Sequence, residues 1–146
     1  MKAEFVSYLD SVGLSSDTVK NNVESIYQYA SILCPEEIAD IFVCDFIKDD
    51  GSREYESLWF FSPNYMMEVR NFRSDRQYDI DLARSKGWIA YYRTYAKDYD
   101  FKRASSESRM TIEALNNDTV NMEWKASRDN CDKLKSILEN YLKPNI

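Results

Sequence analysis

Along the first 34 residues the apolar positions recur at helical spacing. Phe5, Tyr8, Leu9 and Val12 make one stripe, Gly13 interrupts it, and Ser15 or Ser16 can cap a second helix whose stripe runs through Val19, Val23, Ile26, Ala30 and Leu33. Two helices joined by so short a link predict an αα-hairpin over residues 1–34. From Ile38 the period falls to two: Ile41, Val43 and Asp45 share one face, and Phe42, Cys44 and Phe46 the other. Lys48-Asp49-Asp50-Gly51-Ser52 follows, and Asp-Gly between apolar segments is a strong hairpin signal. Residues 55–61 supply the second strand, Pro63-Asn64 a turn, and residues 65–72 the third, which completes a meander. Tyr78, Ile80 and Leu82 alternate with Asp79 and Asp81 in a fourth strand. The Ser85-Lys86-Gly87 turn precedes a fifth over residues 88–96. Trp88, Tyr91, Tyr92, Tyr95 and Tyr99 also fit a helix, but aromatic density and the preceding glycine favour a strand.

Residues 109–143 carry the clearest pattern. Met110, Ile112 and Ala114 alternate with Thr111 and Glu113, and Val120, Met122 and Trp124 with Asn121, Glu123 and Lys125. Putting both apolar sets on one face pairs Ala114 with Val120, Ile112 with Met122 and Met110 with Trp124 around an Asn116-Asn117-Asp118 loop. Beyond Trp124 the period returns to that of a helix, with Cys131, Leu134, Ile137, Leu138, Tyr141 and Leu142 in one stripe. Ser127 or Asp129 is the expected cap and Pro144 the stop.

A terminal hairpin feeding one capping helix, here Val120-Asn-Met-Glu-Trp-Lys-Ala-Ser followed by Cys131-x-x-Leu134-x-x-Ile137-Leu138, resembles the ending of the pleckstrin-homology and GRAM-like superfold. Seven strands and a C-terminal helix over residues 38–143 match the count of that superfold. The resemblance implies a mostly antiparallel seven-stranded barrel or sandwich with a C-terminal capping helix; with the N-terminal helical hairpin added, the expected fold class is α+β, in a single domain over residues 1–146. A second, local similarity covers residues 5–33. Phe5-x-x-Tyr8-Leu9, Gly13-Leu14-Ser15 and Thr18-Val19-Lys20-Asn21 look like the first helix pair of the SAM-like, DNA-clamping domain of tyrosine recombinases. The recombinase catalytic set includes histidine, which this chain lacks, and strands follow where more helices belong.

Composition narrows the function classes. With 146 residues and 44% hydrophobic content, one domain can bury roughly two-thirds of its unfolded surface. The 21 aromatic residues (3 Trp, 11 Tyr and 7 Phe) against 3 Gly and 3 Pro suit sheets rather than disorder. Apolar runs end well short of the about 20 residues of a membrane span. Met1-Lys2-Ala3-Glu4 does not begin a signal peptide, so a cytoplasmic protein is expected. Cys34, Cys44 and Cys131 are widely spaced and read as small buried hydrophobes. The absence of histidine removes the usual general base, zinc ligand and Ser-His or Cys-His nucleophile. No Gly-rich phosphate loop is present, and no cofactor is expected.

Three traces of chemistry remain. Glu123-Trp124-Lys125 matches the Glu-x-Lys half of the PD-(D/E)xK nuclease pattern, with Asp118 or Asp100 as an upstream Mg²⁺ partner, although a solvent-facing strand edge explains the tripeptide as well. Asp49, Asp50, Glu54 and Glu56, and separately Asp79 and Asp81, are acidic groups without the ordered spacing of a calcium loop. Residues 70–109 hold ten Lys or Arg against six Asp or Glu in a chain of net charge −6. Within them Arg84, Lys86, Arg93, Lys97, Lys102 and Arg103 interleave with Tyr92 and Tyr95, the elements of base stacking and phosphate contact. The expected function is a non-catalytic interaction module for a protein partner, at a strand edge or beside the C-terminal helix. The alternatives are a nucleic-acid or phospholipid-headgroup surface on residues 70–109 and, third, a Mg²⁺-dependent nuclease.

Overall fold

The computed structural model of the chain describes residues 1–74, 77–85, 91–100, 103–116 and 119–142. They form an α+β fold of three α-helices and seven strands: α1 (Ala3–Ser11), α2 (Asp17–Leu33), β1 (Asp40–Ile47), β2 (Arg53–Phe61), β3 (Tyr65–Arg70), β4 (Asp79–Arg84), β5 (Tyr91–Lys97), β6 (Arg109–Asn116), β7 (Thr119–Ser127) and α3 (Asn130–Ile137). The strands fall into two antiparallel sheets, β1-β2-β3-β4 and β5-β6-β7, and not into a closed barrel. The chain divides into two compact units: the first holds Met1–Val43 and Ser57–Ala83, the second Cys44–Glu56 and Arg84–Ile146.

In the first unit the helical pair forms as its periodicity dictates. Gly13 takes φ 88°, a left-handed backbone that glycine adopts without cost, and the Leu14 amide closes the turn on the Leu9 carbonyl at 2.9 Å. Ser16 caps α2 by accepting from the Val19 amide at 3.3 Å. Phe5, Leu9, Val23, Ile26 and Ala30 are buried. The Tyr27 ring stands edge-on to Phe5 and Phe60, centroids 6.0 and 5.8 Å away, which packs α2 on β2. Leu33, expected in the core stripe, is instead exposed. It lies near the edge of the packed face, and the helix ends there. Residues 58–61 of β2 are buried on both faces, and β2 pairs with β3 from Ser57↔Arg70 to Phe61↔Met66. The Pro63-Asn64 turn forms as expected and is held by Glu36, which accepts from Ser62 Oγ (2.8 Å), Asn64 N (2.9 Å) and Asn64 Nδ2 (2.8 Å).

The second unit is built on β6, which pairs with β5 from Tyr91↔Leu115 to Lys97↔Arg109 and with β7 from Arg109↔Ser127 to Asn116↔Thr119. The expected β6·β7 register is off by two residues: Ala114 faces Met122, Ile112 faces Trp124 and Met110 faces Ala126. A shift of two preserves both faces because side chains alternate with period two, so patterning alone could not distinguish the registers. An irregularity between Ala114 and Leu115 absorbs one residue, and Leu115 then pairs with Val120. The expected loop residues Asn117 and Asp118 lie outside the described residues, as do Trp88, the Lys86-Gly87 turn and Pro144. The strand reading of the fifth segment holds for Tyr91–Lys97.

The capping helix also departs from expectation in two places. Neither Ser127 nor Asp129 gives a side-chain cap, because the Ser127 hydroxyl is committed to Asp45. After Ile137 the helix widens into a five-residue π turn, Leu138–Leu142. In an α-helix Leu142 would stand about 140° around the axis from Ile137, whereas one π turn brings it back under, and both are buried. The unit closes on the Asp45 carboxylate, which is 0% exposed and accepts from Arg53 Nε (2.8 Å), Ser127 N (3.1 Å), Asn130 Nδ2 (2.7 Å) and the Ser127 hydroxyl. A buried carboxylate persists only when its charge and lone pairs are so occupied. It ties the β1–β2 hairpin to the β7–α3 junction. The hairpin tip turns through Gly51 at φ 86°, with the Lys48 amide on the Ser52 carbonyl at 2.8 Å.

Candidate interaction surface

Among the described strands, β5 has β6 on one side and lies at the edge of the three-stranded sheet. Its sequence, Tyr-Tyr-Arg-Thr-Tyr-Ala-Lys, is rich in strand formers, and β6 supplies a partner for all seven positions. Arg93, Tyr95 and Lys97 share one face with Glu113, Thr111 and Arg109 of β6, while Tyr92, Thr94 and Ala96 share the other with Ala114, Ile112 and Met110. Residues 93–97 are exposed on both faces, even though Ile112 and Met110 opposite Thr94 and Ala96 are buried.

Glu113 organises the polar face. It accepts from Arg93 Nη2 at 2.8 Å and from the Tyr95 hydroxyl at 2.6 Å. The Tyr95 hydrogen bond first, and the Arg93 guanidinium second, hold its carboxyl below the usual carboxylate range. The same bond to Glu113 raises the Tyr95 phenol above its ordinary value. Tyr92 on the opposite face is half-buried, and burial pushes its phenol up to about 12. Lys97 stands directly opposite Arg109, a like-charge pair that is unfavourable across strands. Arg109 turns its guanidinium onto the carbonyl oxygens of Ser106 (3.2 Å) and Ser108 (2.8 Å).

Of the sequence-derived candidates, Arg93, Tyr95 and Lys97 are brought together on one face of β5, and Tyr92 lies on the other. Arg84 is the exposed last residue of β4, and Arg103 sits in a turn bridged to Asp100, its amide 2.8 Å from the Asp100 carbonyl. Lys86 and Lys102 lie outside the described residues. Two cations of the basic segment are paired locally: Arg70 with Asp81 at 2.9 Å and Arg93 with Glu113 at 2.8 Å. Sequence reasoning passed over Glu113, whose signal was its place opposite Arg93 once the strands are paired. It also passed over Asp45 as an anchor, although an aspartate in phase with Ile41 and Val43 already signalled a buried, paired carboxylate.

The nuclease-like tripeptide forms a packed strand. Trp124 is buried, and the Lys125 amine lies 3.1 Å from Glu123 and 3.3 Å from Glu56, over the Phe46 ring. Burial opposes the Lys125 charge, but the hydrogen bonds and fields of Glu123 and Glu56 outweigh it and raise its pKa. Asp118 lies outside the described residues. Among the described residues no three Cys, Asp or Glu gather where a metal could bind, and no helix is long and apolar enough to cross a membrane. All three cysteines are buried and none is in a disulfide; burial, first of all, pushes the Cys131 thiol up to about 12. Compared with known proteins, the chain matches no family model and no curated protein sequence.

Proposed function

We propose that the chain is a non-catalytic interaction module of pleckstrin-homology-like type that receives an extended segment of a partner protein along β5. The observation that carries this reading is the edge position of β5 together with the exposure of residues 93–97 on both faces. A segment added to such an edge gains main-chain hydrogen bonds and reads alternate side chains. The division into four and three strands followed by a terminal helix supports the superfold assignment. Peptides selected for binding from a random library should protect backbone amides of residues 92–97 from hydrogen exchange and lose affinity with Tyr95→Asp. Selected peptides that protect only amides elsewhere would remove β5 from the proposal.

A second reading, single-stranded nucleic acid on the same face, draws support from one exposed ring between two cations, and the engagement of Arg93 by Glu113 weighs against it. Salt-dependent retention of an oligonucleotide, weakened by Arg93→Glu, is its signature, and no retention at low ionic strength ends it.

A further inference from the structure

Among the described residues, three of the five exposed large apolar side chains lie on one helix. Tyr29, Ile32 and Leu33 of α2 are 62%, 83% and 45% exposed, and their spacing of three and four places them on one face. That face is rotated by roughly a quarter turn from the packed one, which carries Val23, Ile26 and Ala30. The Tyr78 ring lies 6.4 Å from Tyr29 and extends the patch toward β4. From Ser25 to Leu33 the helix has no charged residue. A contiguous uncovered apolar patch of this kind marks a contact surface more often than a lone exposed leucine does.

Charge narrows the kind of partner that suits it. The first unit holds five Lys or Arg against eleven Asp or Glu, a net −6, whereas the second holds fourteen of each. The whole acidity of the chain therefore belongs to the unit that bears the patch. Tyr78 is followed by Asp79, and three and four residues beyond Leu33 come Glu36, which also holds the Pro63-Asn64 turn, and Glu37, 3.7 Å from the Lys2 amine; both line an open cavity of about 270 Å³ with Lys2 and Pro63. A second copy of this chain would bring net −6 against net −6, and nucleic acid would be repelled outright. A segment with its own apolar stripe and a basic rim meets both features at once.

We propose that the Tyr29, Ile32 and Leu33 face of α2 is a docking surface for a basic amphipathic helix of a partner protein, separate from the β5 edge. The probes are a synthetic amphipathic helix of Leu and Lys and its Leu and Glu counterpart, measured by fluorescence anisotropy with the full chain. The Lys peptide is expected to bind and the Glu peptide not. The double variant Ile32→Asn, Leu33→Asn should weaken binding about tenfold, and so should Ile32→Lys, whose site is exposed enough to leave the circular dichroism unchanged. Tyr95→Asn on β5 should leave it unaltered. Equal binding of both peptides, or affinity unmoved by both α2 variants, overturns the proposal. Self-association in sedimentation that Ile32→Lys abolishes also overturns it, in favour of a second copy.

Discussion

The two compact units pair their cations alike but differ in net charge, −6 in the first and zero in the second. In the second unit fourteen cations face fourteen anions, and many are engaged internally: Arg53 on buried Asp45, Arg93 on Glu113, Lys125 between Glu56 and Glu123, and Lys48 on Glu54 at 2.6 Å. The first unit packs Trp59 and Phe61 at 6.2 Å and Tyr27 between Phe5 and Phe60, pairs Lys2 with Glu37, Lys20 with Asp10 and Arg70 with Asp81, and still holds six acids in excess. Neutral pairing makes a unit that depends on its polar network. Uncompensated charge makes one that is repelled by itself and attracts a basic partner. The difference is one of excess: polar groups serve the fold in both units, as Glu36 at the Pro63-Asn64 turn and the Arg70–Asp81 pair do in the first, but only the first carries more acids than cations.

The comparison breaks most readily at Asp45. Asp45→Ala leaves the Arg53 guanidinium, the Ser127 amide and hydroxyl and the Asn130 amide without their shared acceptor. The expected loss, about 3–5 kcal/mol by urea denaturation, is that of breaking a buried ion pair. A loss below about 1 kcal/mol would show that the second unit does not rest on this network.

Next in size is the alkaline response. The Cys131 thiol has a folded pKa of about 12 against an ordinary 9.0, so between those values the unfolded chain sheds a proton that the folded chain keeps. Stability must therefore fall as pH rises through that range, by on the order of 2 kcal/mol between pH 9 and 11. Tyr92, raised by burial to about 12, acts in the same direction. Cys131→Ala should flatten the decline between pH 9 and 11 in thermal melts, and an unchanged slope would exclude the thiol as its source.

A third test addresses the first unit. Screening its excess acidity by raising salt from roughly 0.05 to 0.5 M should stabilise it by about 0.5–1 kcal/mol. Slower exchange of the Val23 and Ile26 amides, without a matching change at Ile112 and Trp124, is the expected pattern. An equal response in both units would erase the electrostatic contrast.

The smallest effect concerns Tyr95→Phe, which removes the first of the two hydrogen bonds holding down the Glu113 pKa. The carboxyl should titrate closer to its ordinary value when followed by carbon-detected NMR. Since a depressed carboxylate stabilises the fold above its unfolded pKa and loses that contribution as pH falls, the variant should also be less sensitive to acid.

How much of this was legible beforehand depends on whether a feature is local. Gly13 and Gly51 sit in left-handed turns that their neighbours demand, Ser16 caps α2, and the alternation of β6 and β7 puts Trp124 inside and Glu123 and Lys125 outside. The candidate site was legible only in part, since Arg93, Tyr95 and Lys97 could be placed on one strand face, but the carboxylate that engages Arg93 and Tyr95 comes from β6.

Taken alone, the sequence determined the order of the elements, the kind of most of them, the fifth strand excepted because a helical period fits it too, and the apolar side of α1, β6 and β7, because helical and strand periods are set by backbone geometry within a few residues. Tertiary structure decided the rest: the register of β7, which a shift of two leaves equally apolar; the π turn that returns Leu142 to the core; the four donors around Asp45; and the exposure of Leu33 where Ala30 is buried. Burial, pairing and donor geometry belong to whatever segment arrives from elsewhere in the chain, and no local period encodes which segment that is.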